Sequence, residues 1–139
     1  IGHVSIVLRA LPLLRRIVVG LGVNSTKRNT FEMKKRLRWV SRAFADEPKV
    51  EAMAFEGLTV DLCRKVGATF ILRGLRNSTD HGVERSIALM NRDLSGVETI
   101  FLPSAPEHAH ISSTIVRELI ANKADVSALV PMDLRTTHP

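Results

Sequence analysis

Apolar residues recur along this chain in two rhythms, and the alternation between them lays out the elements. Val4, Val7, Leu8, Leu11 and Leu14 return every three or four residues, which predicts a helix over residues 3–14 with Pro12 marking its last turn or a kink. Ile17 to Val23 is a short, nearly continuous apolar run rich in β-branched residues, the pattern of a strand covered on both faces of a parallel sheet. A basic amphipathic helix is predicted from about Phe31 to Ala45, with Leu37, Val40, Ala43 and Phe44 turned inward. Val50 to Phe55 reads as the second strand. Leu58, Val60, Leu62 and Val66 make a helix that starts after Gly57 and ends at Gly67. A third strand covers Thr69 to Leu72, a helix Thr79 to Leu94 with Val83, Ile87, Met90 and Leu94 on one face, and a fourth strand Thr99 to Leu102. After a loop from Pro103 to His110, a helix opens at Ile111 and ends near Asn122. A short helical piece is predicted over Ala124 to Leu134, broken at Pro131.

Strands alternating with helices imply right-handed crossovers and one twisted parallel sheet flanked by helices, a Rossmann-like α/β fold in a single domain over residues 1–139. Folds of this type open with a strand, whereas this chain begins inside a helix. The expectation is that the first strand of the sheet precedes Ile1. A sheet without its central strand leaves two neighbours with unpaired backbone groups.

Composition narrows the partners. Of 139 residues, 45% are apolar and 24% charged, the range of a soluble globular domain, and no apolar stretch is long enough to span a bilayer. No segment reads as a signal peptide, so the expected setting is the cytoplasm, with no membrane partner. Twenty basic residues against fourteen acidic leave a net charge of +6, and a basic cluster runs through Lys27, Arg28, Lys34, Lys35, Arg36, Arg38 and Arg42. Aromatics make up only 4% and tyrosine is absent, so stacking platforms for nucleic acid are nearly missing and a small phosphorylated ligand fits the charge better. The single cysteine, Cys63, excludes an intramolecular disulfide and lies on an apolar helical face as a packed thiol.

Three motifs carry the chemistry. Ile111-Ser112-Ser113-Thr114 opens a predicted helix with Arg117 one turn in, so free backbone N–H groups and a positive dipole end stand where an anion can sit. Taken alone, Ser-Ser-Thr reads first as a helix cap. Arg73-Gly74-Leu75-Arg76 lies where the third strand hands over to a helix, the edge at which open α/β sheets bind nucleotides, and Gly2-His3 opens the first helix. Together they point to a nucleotide. His81, His108 and His110 lack a recognised metal-ligand spacing, so no protein-held metal site is expected.

In their order and spacing these motifs resemble the phosphopantetheine adenylyltransferases of the nucleotidyltransferase superfamily. Gly2-His3 is similar to the end of the Thr/His-x-Gly-His signature, residues 73–76 to the Arg-Gly-Leu-Arg segment, Met90-Asn91-Arg92 to the Met-Asn-Arg that follows it, and residues 111–114 to Ile-Ser-Ser-Ser/Thr. The resemblance implies transfer of adenylate from ATP to 4′-phosphopantetheine with Mg²⁺, giving dephospho-coenzyme A and pyrophosphate, in a homo-oligomer, a hexamer. It further implies that His3 donates to the α-phosphate and Lys27 bridges the attacking phosphate and the reacting centre. By the same resemblance Arg73 holds the pantetheine phosphate, with Thr59 lining that pocket. Gly74, Leu75, Arg76 and Glu84 contact ATP. His108, Ala109, His110, Ile111, Ser112, Ser113 and Thr114 form the adenine and phosphate loop.

The family pattern also has a Gly-Thr/Ser-Phe-Asp-Pro strand and turn that would stand ahead of Ile1. After Arg-Gly-Leu-Arg it usually has Asp-Phe-Glu-Tyr-Glu where this chain has Asp80-His81-Gly82-Val83-Glu84, and His108 and His110 replace aromatic positions. Two other readings are a truncated or degenerate homologue that binds nucleotide without catalysis and an adenylyltransferase acting on nicotinamide mononucleotide. The Met-Asn-Arg segment disfavours the latter.

Overall fold

The computed structural model describes residues 1–23 and 31–131. Helix α1 (Gly2–Ala10) stops before Pro12, whose ring removes a backbone donor, and the chain tightens into a 3₁₀ turn over Leu11–Leu13. Strand β1 (Ile17–Gly22), helix α2 (Met33–Ala43), strand β2 (Val50–Phe55), helix α3 (Thr59–Val66), strand β3 (Phe70–Leu75), helix α4 (Ser78–Ser95), strand β4 (Glu98–Pro103), a 3₁₀ turn (Pro106–His108) and helix α5 (Ser113–Ala121) follow. Local chemistry sets several of these ends. Gly67 and Gly96 close α3 and α4 at φ of +67° and +73°, the left-handed conformation glycine adopts without strain. At its start, α4 is capped by the Asn77 side chain, which accepts from the Asp80 N–H at 2.9 Å.

The expected parallel strands flanked by helices are present, arranged as two parallel two-stranded ladders. β1 runs beside β2, Ile17 opposite Val50 through Gly22 opposite Phe55, and β3 runs beside β4, Phe70 opposite Glu98 through Leu75 opposite Pro103. Side chains rather than backbone bonds join the ladders. Val7 and Ala10 of α1 pack with Ile17 and Phe44, and around that core gather Val19 and Val50 from one ladder and Leu72 and Leu102 from the other. Among the described residues β1 and β3 therefore each have a strand partner on one side only. Coverage is also thinner than the continuous apolar runs suggest: of all the strand residues only Ile17, Leu21 and Ile71 are buried.

A further correction concerns the last predicted helical piece. Residues 124–131 form no helix, because Asp125 accepts from the Ser127 N–H at 2.8 Å and from its hydroxyl at 2.9 Å, a side-chain turn that competes with helical bonding. Val126 and Val130 are still buried there, and positions 132–134 lie outside the described residues. In α4, Val83, Ile87, Met90 and Leu94 share one face as expected, and that face is largely exposed, with Ile87 at its edge toward the cavity between α3, β3 and α4. No helix among the described residues is long and apolar enough to cross a membrane.

Candidate functional site

The site begins at the carboxyl end of β3. This strand continues three residues past the predicted end at Leu72, because Arg73, Gly74 and Leu75 pair in register with Phe101, Leu102 and Pro103. Alternation along the strand sends Arg73 and Gly74 to opposite faces. On the Gly74 side lies α1: a Cβ there would stand 3.0 Å from Cγ1 of Ile6, so glycine is what lets α1 seat against the strand. On the Arg73 side lies α4. The Arg73 guanidinium forks onto Glu84, Nε to Oε2 at 2.8 Å and Nη2 to Oε1 at 2.6 Å. Arg76 makes the same kind of fork with Asp80, Nε to Oδ2 at 2.8 Å and Nη2 to Oδ1 at 3.0 Å.

Both pairs are partly covered. Hydrogen bonding by Glu84 raises the Arg73 pKa above its ordinary value, and the Glu84 side chain is only 18% exposed against 49% for Arg73, so removing Arg73 strands a largely desolvated carboxylate. Hydrogen bonding by Arg76 holds the Asp80 carboxyl below its ordinary value, and that pair is partly open to solvent, its side chains 39% and 23% exposed.

His3 stands in the first turn of α1, where neither a capping side chain nor an acidic residue takes up the free N–H groups. Its ring keeps an open edge to solvent, yet the mass of protein around it lowers its pKa. Repulsion from the chain's amino group, Arg73 and Arg76 lowers it further, which sets all three cations within electrostatic reach of the ring. At neutral pH His3 is a neutral imidazole with one N–H to donate.

The segment from Pro106 to Thr114 closes on the same place. A Cβ on Gly2 would lie 4.0 Å from that of His108, and the Ile111 N–H donates to the His108 carbonyl at 3.1 Å, folding the chain back into α5. Among the described residues, buried Nδ1 of His108 has no hydrogen-bond partner. Ser112 caps α5, its Oγ accepting from the Ile115 N–H at 3.2 Å, and Thr114 Oγ1 accepts from Arg117 at 3.3 Å. Ser113 and Thr114 are exposed at this helix start, Ala109 is half-buried and His110 exposed. Ser104 N–H donates to the Leu75 carbonyl at 2.7 Å, tying this loop to the end of β3.

Beside Arg73 a cavity of about 200 Å³ opens between α3, β3 and α4, with Thr59, Arg73, Glu84 and Asn91 in its lining. Asn91 carries no assignment from the sequence motifs, although it falls seven residues after Glu84, on the same helical face. Asp80 likewise went without a role, and its four-residue spacing from Arg76 is the signal that finds it. The His81 ring lies 6.1 Å from that of Phe101, the residue opposite Arg73 in the ladder, and Lys27 lies outside the described residues.

Comparison with known proteins places this geometry in a family. A cytidylyltransferase-like family model matches residues 1–119. The chain is similar to phosphopantetheine adenylyltransferases of Flavobacterium psychrophilum (48% identity) and Flavobacterium johnsoniae (44%), in both cases over 97% of this chain and 89% of the relative. It is also similar to that of Cutibacterium acnes, at 44% identity over 94% of this chain and 83% of the relative.

Proposed function

The chain belongs to the phosphopantetheine adenylyltransferase family of cytidylyltransferase-like proteins, and from that premise we propose that it transfers an adenylyl group from ATP to 4′-phosphopantetheine. A phosphate oxygen of the acceptor attacks the α-phosphorus, the bond from that phosphorus to the pyrophosphate oxygen breaks, and dephospho-coenzyme A and pyrophosphate leave. The chemistry needs alignment and charge stabilisation rather than a nucleophile on the protein. The strongest support is the convergence of the neutral His3 imidazole with Arg73 and Arg76 at the carboxyl end of β3, next to a cavity that reaches Thr59.

In this reading His3 donates its N–H to the α-phosphate as charge builds there, and Lys27 bridges the attacking phosphate and the reacting centre. Arg73, held in one orientation by Glu84, receives the acceptor's phosphate in the cavity lined by Thr59. Gly74, Leu75 and Arg76 border ATP. Residues 108–111 border the adenine, while the amides and hydroxyls from Ser112 to Thr114 meet the β- and γ-phosphates. Mg²⁺ enters as part of the MgATP substrate: Glu84 and Asp80 are engaged by arginines, and among the described residues no three metal-ligating side chains converge. The protein works in the cytoplasm as a homo-hexamer.

Pyrophosphate release from MgATP tests the reaction. Release that depends on 4′-phosphopantetheine, with none on nicotinamide mononucleotide, is the expected result. Release with the mononucleotide alone would shift the acceptor, and ATP binding without turnover on either acceptor would make the chain a nucleotide binder.

A further inference from the structure

Helix α1 meets the loop between β4 and α5 at both of its ends. Gly2, Ile6 and Arg9 recur at intervals of four and three residues, so they form one stripe along the helix. Gly2 stands beside His108 in the middle of the loop, Ile6 lies against Gly74 of β3, and Arg9 Nη1 donates to the Pro103 carbonyl at 2.7 Å. Pro103 is the last residue of β4, the point at which the loop departs. From Gly2 to Arg9 the helix rises about 10 Å, so α1 braces the loop from its root to its middle.

The Pro103 carbonyl and the Ser104 N–H belong to one rigid peptide plane, and both edges of that plane are taken. Arg9 holds the oxygen from one side, while the Leu75 carbonyl at the end of β3 accepts the N–H from the other at 2.7 Å. Two bonds on opposite edges fix how the plane is turned. Prolines restrict the torsions around it. The Pro103 ring sets its own φ, and Pro106 confines Ala105 to the extended conformation it shows, φ −61° and ψ 139°. Few groups therefore decide the direction in which residues 104–112 leave the sheet, and Arg9 reaches them from the helix that carries His3.

We infer that Arg9 is a positioning residue for the nucleotide: by holding this peptide plane it sets where the segment from His108 to Thr114 stands relative to His3. The inference rests on the reading that ATP lies along residues 108–114, and Arg9 acts through the loop rather than on the substrate. His3 on α1 and the helix start at Ser112 serve a single triphosphate, whose phosphates are covalently joined. Donors on the two elements meet it together only at the right separation, and a misplacement of about 1 Å can cost about 100-fold in rate. Arg9 itself is exposed and lies outside the buried core, so its replacement leaves the packing of α1 in place.

Arg9→Met keeps the aliphatic stem and removes the donor, whereas Arg9→Lys keeps a donor. Calorimetric titration with MgATP and steady-state kinetics on the wild type and both variants test the inference, with thermal unfolding confirming that all three fold. For Arg9→Met the Kd for MgATP is expected to rise about tenfold while KM for 4′-phosphopantetheine stays within about twofold, and Arg9→Lys is expected to return the Kd to within about threefold of wild type. Equal weakening toward both substrates, unchanged MgATP affinity in Arg9→Met, or an Arg9→Lys variant as weak as Arg9→Met would each overturn the inference and leave adenylyl transfer standing. A wild type that binds MgATP without turnover would overturn adenylyl transfer alone, the Kd pattern across the three proteins still deciding the role of Arg9. A wild type that binds no MgATP would overturn both.

Discussion

Helices α1 and α4 carry the same apolar rhythm and put it to opposite uses. In α1 the stripe goes inward: Ile6, Val7 and Ala10 are buried, and the helix joins two strand ladders that share no backbone bond. In α4 it goes outward, because the inward face is occupied by groups the site needs, Glu84 on Arg73 and Asn91 in the cavity beside it. One helix is spent on the core of the fold and the other on its chemistry. The difference shows that an amphipathic pattern announces a covered face without saying what covers it.

The sharpest way to break this contrast is to truncate one residue from each stripe. Ile6→Ala is expected to cost about 2–5 kcal/mol, the range for emptying a buried aliphatic site, and it also loosens the seat of α1 on Gly74. Met90→Ala is expected to stay within about 0.5 kcal/mol for the dissociated chain. Urea unfolding at low protein concentration checks both, and equal losses would erase the distinction. A second test takes the inward face of α4. Glu84→Gln keeps the shape but removes the charge that orients Arg73, so kcat/KM for 4′-phosphopantetheine should fall by about 10–100-fold, or ~1.4–2.7 kcal/mol. Steady-state kinetics in both substrates reads it, and an effect confined to ATP would move Glu84 to the nucleotide side.

The titration of His3 sharpens the account of α1. Its folded pKa is below the unfolded value, so the unfolded chain takes up a proton first as pH falls. Its contribution to stability is fully present above the ordinary histidine value of about 6.5 and is lost as pH falls through the folded value. Phosphates placed beside the ring should raise its pKa again, so ATP binding near pH 6 should take up a proton. Calorimetry in two buffers of different ionisation enthalpy measures that uptake, and His3→Ala should abolish it. The smallest effect is expected for Asp80→Asn, whose partly exposed pair with Arg76 should change stability by less than about 1 kcal/mol; a larger loss of melting temperature would show the pair to be structural.

Much of this layout is legible in the residues themselves. Pro12 marks the end of α1, Gly67 that of α3, and the Arg73–Arg76 segment lands at the carboxyl end of a strand. What escapes a linear reading depends on partners distant in sequence. The apolar runs of β1 and β3 look like strands of one sheet, yet periodicity cannot tell which backbone edge faces which. Nothing in the spacing of Val83 to Leu94 distinguishes a stripe facing β4 from one facing solvent. Arg73 and Glu84 are eleven positions apart, and only the crossing of β3 by α4 makes them a pair. Cys63 is buried, and burial raises its thiol pKa, in keeping with a packed side chain.

The measurement that bears most directly on the central claim is steady-state kinetics of His3→Ala with MgATP and 4′-phosphopantetheine. A donor acting on charge that develops only in the transition state predicts a fall in kcat of about 100-fold or more with KM for ATP nearly unchanged. An unchanged kcat with a raised KM would contradict it, leaving His3 as a ground-state contact at the rim of a site whose chemistry is done elsewhere.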